Sequence, residues 1–146
     1  MIHTFRSVLN NDSLFFSMLK NIQQHFALQT ITSEQLIAYI NELAGKDYTS
    51  FFNQYLKYPS PPVLQYKARQ KGDDVKLDYR WKTDVKNFSM PVEVTSFYQY
   101  KFGIATKKFI RINGTSDWQT IELPNMTAKD FDVNSDRFYV KKEESK

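Results

Sequence analysis

Apolar residues follow two different rhythms along the chain, and the rhythm changes at one place. From Ile2 to Tyr55 they recur every three to four residues, as they do on one face of a helix. Ile2, Phe5, Val8 and Leu9 predict a helix that is already under way at the first residues. Phe15, Met18, Leu19, Ile22 and Phe26 predict a second helix between Asn11 and Leu28, with Asp12 as its N-cap. The third helix is the most fully specified, within TITSEQLIAYINELAG. Thr32 as N-cap with Gln35 three residues on makes a capping box, Ile31 and Leu36 make the hydrophobic staple, and Gly45 stands where a left-handed C-terminal residue is wanted. Asp47 is expected to cap a fourth helix that places Tyr48, Phe51, Phe52 and Tyr55 on one side. Helices this short are stabilised by what they pack against rather than by propensity.

After Pro62 the period becomes two. Leu64, Tyr66 and Ala68 alternate with Gln65, Lys67 and Arg69; QKGDD makes a turn; Val75, Leu77, Tyr79 and Trp81 then alternate with Lys76, Asp78, Arg80 and Lys82. This pattern predicts a hairpin with one apolar and one wet face. Further strands are expected at Val92–Tyr100, Lys107–Ile112, Asp117–Leu123 and Arg137–Lys141, with Asn113-Gly114 as a turn and the tail KKEESK frayed. Between the two rhythms lie Pro59, Pro61 and Pro62, which remove backbone donors and hold their preceding residues extended. The expected fold class is therefore α+β: a helical subdomain over residues 1–58, a proline hinge at 59–62, and an antiparallel, immunoglobulin-like β-sandwich over 63–146.

Charge sharpens the contrast between the halves. Residues 1–60 hold Arg6, Lys20, Lys46 and Lys57 against Asp12, Glu34, Glu42 and Asp47, so the net charge of +4 lies in the remainder, with 16 basic and 12 acidic side chains. A basic strand-rich half is one footprint of nucleic-acid binding. Yet both signs mix along the strand from Lys76 to Asp84, as on a solvated face, and no nucleic-acid partner is expected. No apolar run reaches the ~18 residues of a membrane span. MIHTFRSVLN lacks the basic and apolar regions of a signal peptide, and the compartment stays open. Aromatic residues, at 16% of the chain, dominate whatever core forms.

Candidate chemistry is sparse. The chain has no cysteine, so thiolate ligands, disulfides and a cysteine nucleophile are excluded. Its two histidines, His3 and His25, stand outside any H-E-x-x-H or similar ligand spacing, and His25 suits the C-terminal end of a helix dipole. The pairs Asp73-Asp74 and Glu143-Glu144 fall in a turn and a tail, where solvent keeps carboxylates ionised and independent. Gly45, Gly72, Gly103 and Gly114 read as caps or turns, with no phosphate-cradling loop among them. The run Phe97, Tyr98, Tyr100 and Phe102 is either a stacking platform or a buried strand. No catalytic, cofactor-binding or metal-binding residue is assigned.

The order of these features resembles the end of the catalytic domain of the aminopeptidase N-like family of zinc metallopeptidases, the gluzincins. Met1-Ile2-His3-Thr4-Phe5-Arg6 is similar to that family's mLhmLR-type helix. Thr30-Ile31-Thr32-Ser33-Glu34 is similar to its t-t-x-d-f stretch, Gly45-Lys46-Asp47 to its acidic helix junction, and Phe51-Phe52-Asn53-Gln54-Tyr55-Leu56 to its FFxQWl helix. Tyr58 to Pro62 stands where the family enters a β-sandwich. The likeness runs through residues 1–66 and is one of topology beyond them.

The resemblance implies a C-terminal, non-catalytic portion of an enzyme whose parent uses zinc to remove N-terminal residues from peptides. The family's zinc motif, its G-x-M-x-N segment and its catalytic tyrosine would lie upstream of Met1. This chain would hold no cofactor, and its partner would be the upstream catalytic domain, which it would support. Self-association is also expected. Leu14, Phe15, Phe16, Met18 and Leu19 nearly encircle their helix, and Phe51 and Phe52 point about 100° apart. Their bare faces should make an apolar patch that a second copy covers. The alternative is an independent peptide- or glycan-binding α+β module, for which an exposed cluster of Tyr98, Tyr100 and Trp118 would speak.

Overall fold

The structure, a computed structural model, describes residues 1–101 and 104–145, and their side chains outside 98–105. Helices α1 (Ile2–Leu9), α2 (Asp12–His25), α3 (Ser33–Ala44) and α4 (Thr49–Lys57) come first. Strands β1 (Val63–Lys71), β2 (Asp74–Lys82), β3 (Met90–Lys101), β4 (Ile104–Gly114), β5 (Gln119–Leu123) and β6 (Lys141–Glu144) follow. The chain is an α+β fold.

Local chemistry explains where the helices start and stop. α1 ends at Asn10, in the left-handed region at φ 51°, which asparagine tolerates better than most side chains. The N-cap of α2 is Asn11 rather than Asp12: Asn11 has the extended backbone, and its Oδ1 accepts from the Leu14 N–H at 2.9 Å. Asp12 sits instead in the first turn, where a carboxylate meets the positive helix end and pairs with Arg6 at 2.7 Å. At α3 the capping box forms in full. The Thr32 N–H donates to Gln35 Oε1 at 2.9 Å, the Gln35 N–H donates to Thr32 Oγ1 at 3.3 Å, and Gly45 closes the helix at φ 62°. Thr32→Ala should therefore cost about 1 kcal/mol in urea denaturation, with Thr32→Ser recovering most of it. α4 begins after Tyr48, and Asp47 serves it from outside by accepting from the Thr49 N–H at 2.8 Å.

α4 stops at Lys57, Tyr58 is extended, and β1 starts at Val63, so no helix passes through the prolines. β1 and β2 make the expected hairpin, in register from Val63↔Lys82 to Lys71↔Asp74, with Gly72 at φ 62° in the turn. The four-stranded sheet has the order β5-β2-β1-β6, and β3 pairs with β4 in a separate two-stranded sheet. The pairing corrects three expectations. Residues 137–140 are not strand; the strand is β6 in the charged tail, with Val63↔Lys141 to Tyr66↔Glu144 in register. β6 runs parallel to β1, so the sheets are not purely antiparallel, and the topology gives no support to an immunoglobulin-like arrangement. Asn113-Gly114 is not a turn but the end of β4, with Met90↔Gly114 in register.

Both sheets and the helices share one core. Leu64, Val75, Leu77 and Trp81 from the larger sheet, Met90, Val92 and Val94 from β3, and Phe5, Phe51 and Phe52 from the helices belong to a single buried cluster. Phe88 and Phe138, from connecting segments, complete it and are also buried.

Candidate functional site

The side chains that were candidates for chemistry are scattered and occupied. His3 Nε2 donates to the Asp136 carbonyl at 3.1 Å. His25 stacks on Tyr39, with ring centroids 4.1 Å apart and planes at 14°. Asp74 Oδ1 accepts from the Asn125 N–H, and Glu143 accepts from Gln65 and Lys82. Among the described residues no three of His, Asp and Glu converge as metal ligands. A cleft of about 500 Å³ opens between the helices and β3–β4, against Val8, Lys46, Tyr48, Ser89, Pro91 and Asn113. No histidine lines it, and burial pushes the Tyr48 phenol up, away from proton transfer near neutrality.

The polar groups held most firmly lie where helices meet strands. Gln54, 1% exposed, donates to the Ser60 carbonyl at 3.1 Å and to Asp84 Oδ2 at 3.3 Å, while its Oε1 accepts from the Asp84 and Val85 N–H groups at 3.1 Å each. One amide thus ties α4 to the proline segment and to the loop after β2. The Tyr55 hydroxyl donates to the Tyr139 carbonyl at 2.8 Å, and burial pushes its phenol up. The Tyr139 N–H donates to Thr4 Oγ1 at 3.0 Å. The Arg111 guanidinium, on β4, donates to the Ser7 and Val8 carbonyls at the end of α1, where the dipole is negative. The joint is a mesh of hydrogen bonds rather than a loose hinge. Gln54 stands in the FFNQYL segment, but nothing there names its partners, and Arg111 does not stand out at all, because a single polar residue in an alternating run does not announce a distant partner.

The expected self-association surface is corrected. Phe15, Phe51 and Phe52 are buried within the chain, at 6%, 1% and 3% exposure, around Phe5. Of that set only Phe16 remains exposed, with the Arg6 guanidinium 5.0 Å over its ring. Ile2 and Leu19 join it as exposed apolar residues of α1 and α2. The first two helices turn Phe5 and Phe15 inward and leave a narrower outer face than the sequence implied.

On the strand side, Phe97 is exposed, while the side chains of Tyr98 and Tyr100, and Phe102 as a whole, lie outside the described residues. Trp118 is exposed at the edge of the larger sheet. Asp132, on the segment bridging β3, accepts from Lys107 and from Lys142 of β6, each at 2.7 Å. Burial opposes its ionisation, but those two ammonium groups and the Val133 N–H outweigh it and bring the carboxyl down to about 2. A depressed carboxyl contributes stability that is complete above its unfolded value near ~4 and is lost as pH falls toward the folded one. Asp132→Asn should therefore flatten the acid limb of stability between those two values, as read from urea midpoints. The effect should be modest, because about a third of the side chain remains in water.

No protein-family model matches the chain, and no curated protein matches it. Among solved structures, aminopeptidase A of Legionella pneumophila, in complex with aspartic acid, superposes with a TM-score of 0.70 at 13% identity. The match covers 99% of this chain and 17% of that one, so the chain spans about a sixth of its neighbour's length. At this identity the likeness is one of fold, and the fold is that of a portion of a larger peptidase.

Proposed function

We propose that this chain is a supporting, non-catalytic portion of a zinc aminopeptidase of the aminopeptidase N-like, gluzincin kind, whose parent removes N-terminal residues from peptides. One observation carries the reading. Nearly the whole chain, helices and sheets together, superposes on a sixth of a known aminopeptidase. The order of helices, FFNQYL segment and proline entry, read from sequence alone, points to the same kind of enzyme. In this reading residues 1–58 close a catalytic domain, 59–62 are the boundary, and 63–146 are the β-domain behind it. The exposed Ile2, Phe16 and Leu19 of α1 and α2 face the remainder of the catalytic domain, the chain's principal partner. The mesh around Gln54, Tyr55 and Arg111 gives the support its stiffness, since it fixes the helices on the sheets. Zinc belongs to the parent, where the missing ligands would hold it.

The purified chain should show no chelator-sensitive hydrolysis of aminoacyl anilides and no stoichiometric zinc by elemental analysis. One tightly held zinc per chain, or a chelator-sensitive rate well above blank, overturns the reading. The positive arm is genetic: an in-frame coding sequence upstream of Met1 that contains H-E-x-x-H is expected.

A further inference from the structure

The outer face of the larger sheet carries a feature that a purely supporting role leaves unused. Trp118, immediately before β5, is 42% exposed, and two cations rest on its ring: the Arg80 guanidinium at 4.8 Å from the centroid and the Lys67 ammonium at 5.7 Å. The Arg80 Nε–H is further fixed on Gln65 Oε1 at 2.9 Å. Arg69 and Lys76 stand opposite one another in the next row of the same face. Asp78 lies among these groups, but its carboxylate is taken up by Arg69 and by the Thr120 hydroxyl. Glu122 is paired with Lys71. Among the described residues, Lys67, Lys76 and Arg80 have no carboxylate within ion-pair distance. A cleft of about 410 Å³ runs between Lys67, Arg69, Lys76, Asp78, Trp118 and Thr120.

We propose that this face binds an extended acidic polypeptide segment, with Lys67, Lys76 and Arg80 as the anion-binding groups and Trp118 as the plate that holds two of them in place. Charge complementarity selects the occupant, and spacing refines it. Arg80 and Lys76 are four residues apart on β2, about 13 Å along the strand, while carboxylates at alternate positions of an extended peptide repeat at about 7 Å. Such a peptide meets the cations at its first and third carboxylates and leaves the middle one to Lys67. A neutral sugar stacks on a bare aromatic face, and here cations cover it. Holding both cations before the ligand arrives lowers the ordering cost of binding. The inference is independent of the peptidase reading and stands or falls without it.

The test uses the full chain and a fluorescein-labelled peptide that alternates Glu with Thr, followed by anisotropy at low salt. Saturable binding that weakens as salt rises is expected. Lys67→Gln combined with Arg80→Gln should weaken it at least about tenfold, the loss of roughly two half-buried charge contacts with their shared plate. Trp118→Ala should weaken it as well, while Lys20→Gln, on the far helix α2, should leave it unchanged. Unaltered far-ultraviolet dichroism and a cooperative urea transition show that each variant has folded. Absence of binding, an equal loss in Lys20→Gln, or tighter binding of a labelled oligouronate or oligodeoxythymidine overturns the proposal.

Discussion

Phe5→Ala should be the most damaging single truncation in the helical part, costing about 3–5 kcal/mol in urea unfolding. Phe5 is 3% exposed and is the hub of a ring cluster. Its centroid lies 4.9 Å from that of Phe52, 5.2 Å from Tyr48, 5.6 Å from Phe51 and 6.5 Å from Phe15. Those rings come from α2, α4 and the turn before α4, so a void at Phe5 loosens α1 against both helices. The neighbours are stiff aromatics anchored on other elements, and they cannot collapse to fill it. Phe16→Ala, at an exposed ring on the adjacent helix, should cost less than about 1 kcal/mol. Equal costs for the two substitutions would mean that the ring cluster is not the organising core of the helices.

The second large effect concerns a residue with no side chain. A Cβ added at Gly114 would sit 2.4 Å from Trp81 Nε1 and 2.7 Å from Cδ1. Trp81 is 1% exposed, its indole N–H donates to the Met90 carbonyl at 2.8 Å, and Phe88 meets its ring edge-on at 5.9 Å. With no free direction for the ring, Gly114→Ala combines overpacking with a strained or broken buried hydrogen bond, together on the order of 3 kcal/mol. Gly114 is not in the left-handed region, so the penalty is one of space. Gly72→Ala makes the comparison, since Gly72 has a positive φ but nothing within 4 Å of the added methyl. Its cost should be about 1 kcal/mol. If Gly114→Ala costs no more than Gly72→Ala, and the indole emission is unshifted, the close approach to Trp81 is not what this position requires.

These two sites mark how far the sequence could be read. Periodicity located all four helices and the β1–β2 hairpin, because each is fixed by contacts a few residues apart: the Thr32–Gln35 box, Gly45, the turn at Gly72. Where two neighbouring residues had similar chemistry, the sequence could not choose. Asn11 and Asp12 both cap helices well, and backbone geometry decided for Asn11. Asn113-Gly114 has turn chemistry, yet Gly114 serves as floor space under an indole that lies more than thirty positions earlier in the chain. KKEESK looks frayed because its charges have no local partner. It becomes β6 because Gln65 and Lys82, on neighbouring strands, receive Glu143. The inward turn of Phe15, Phe51 and Phe52 was equally hidden: a helix with two apolar faces does not state which of them its own chain will cover. For chemistry the sequence was sparse, and the described residues bring its candidates no closer together.

The parallel pairing of β6 with β1 has a consequence for biosynthesis. Gln65 and Glu143 are 78 residues apart, and the Ser145 N–H donates to the Tyr66 carbonyl at 2.8 Å across the same seam. On the ribosome, α1 to α4 and the first hairpin emerge early and can form from local contacts. The open flank of β1 then waits, its amides and carbonyls unmatched, until residue 144 has cleared the exit tunnel. Such an interval favours chaperone capture or strand exchange between nascent chains. A ribosome pause after β1 has left the tunnel and before residue 144 has done so would lengthen it, while a pause after the seam had closed would not.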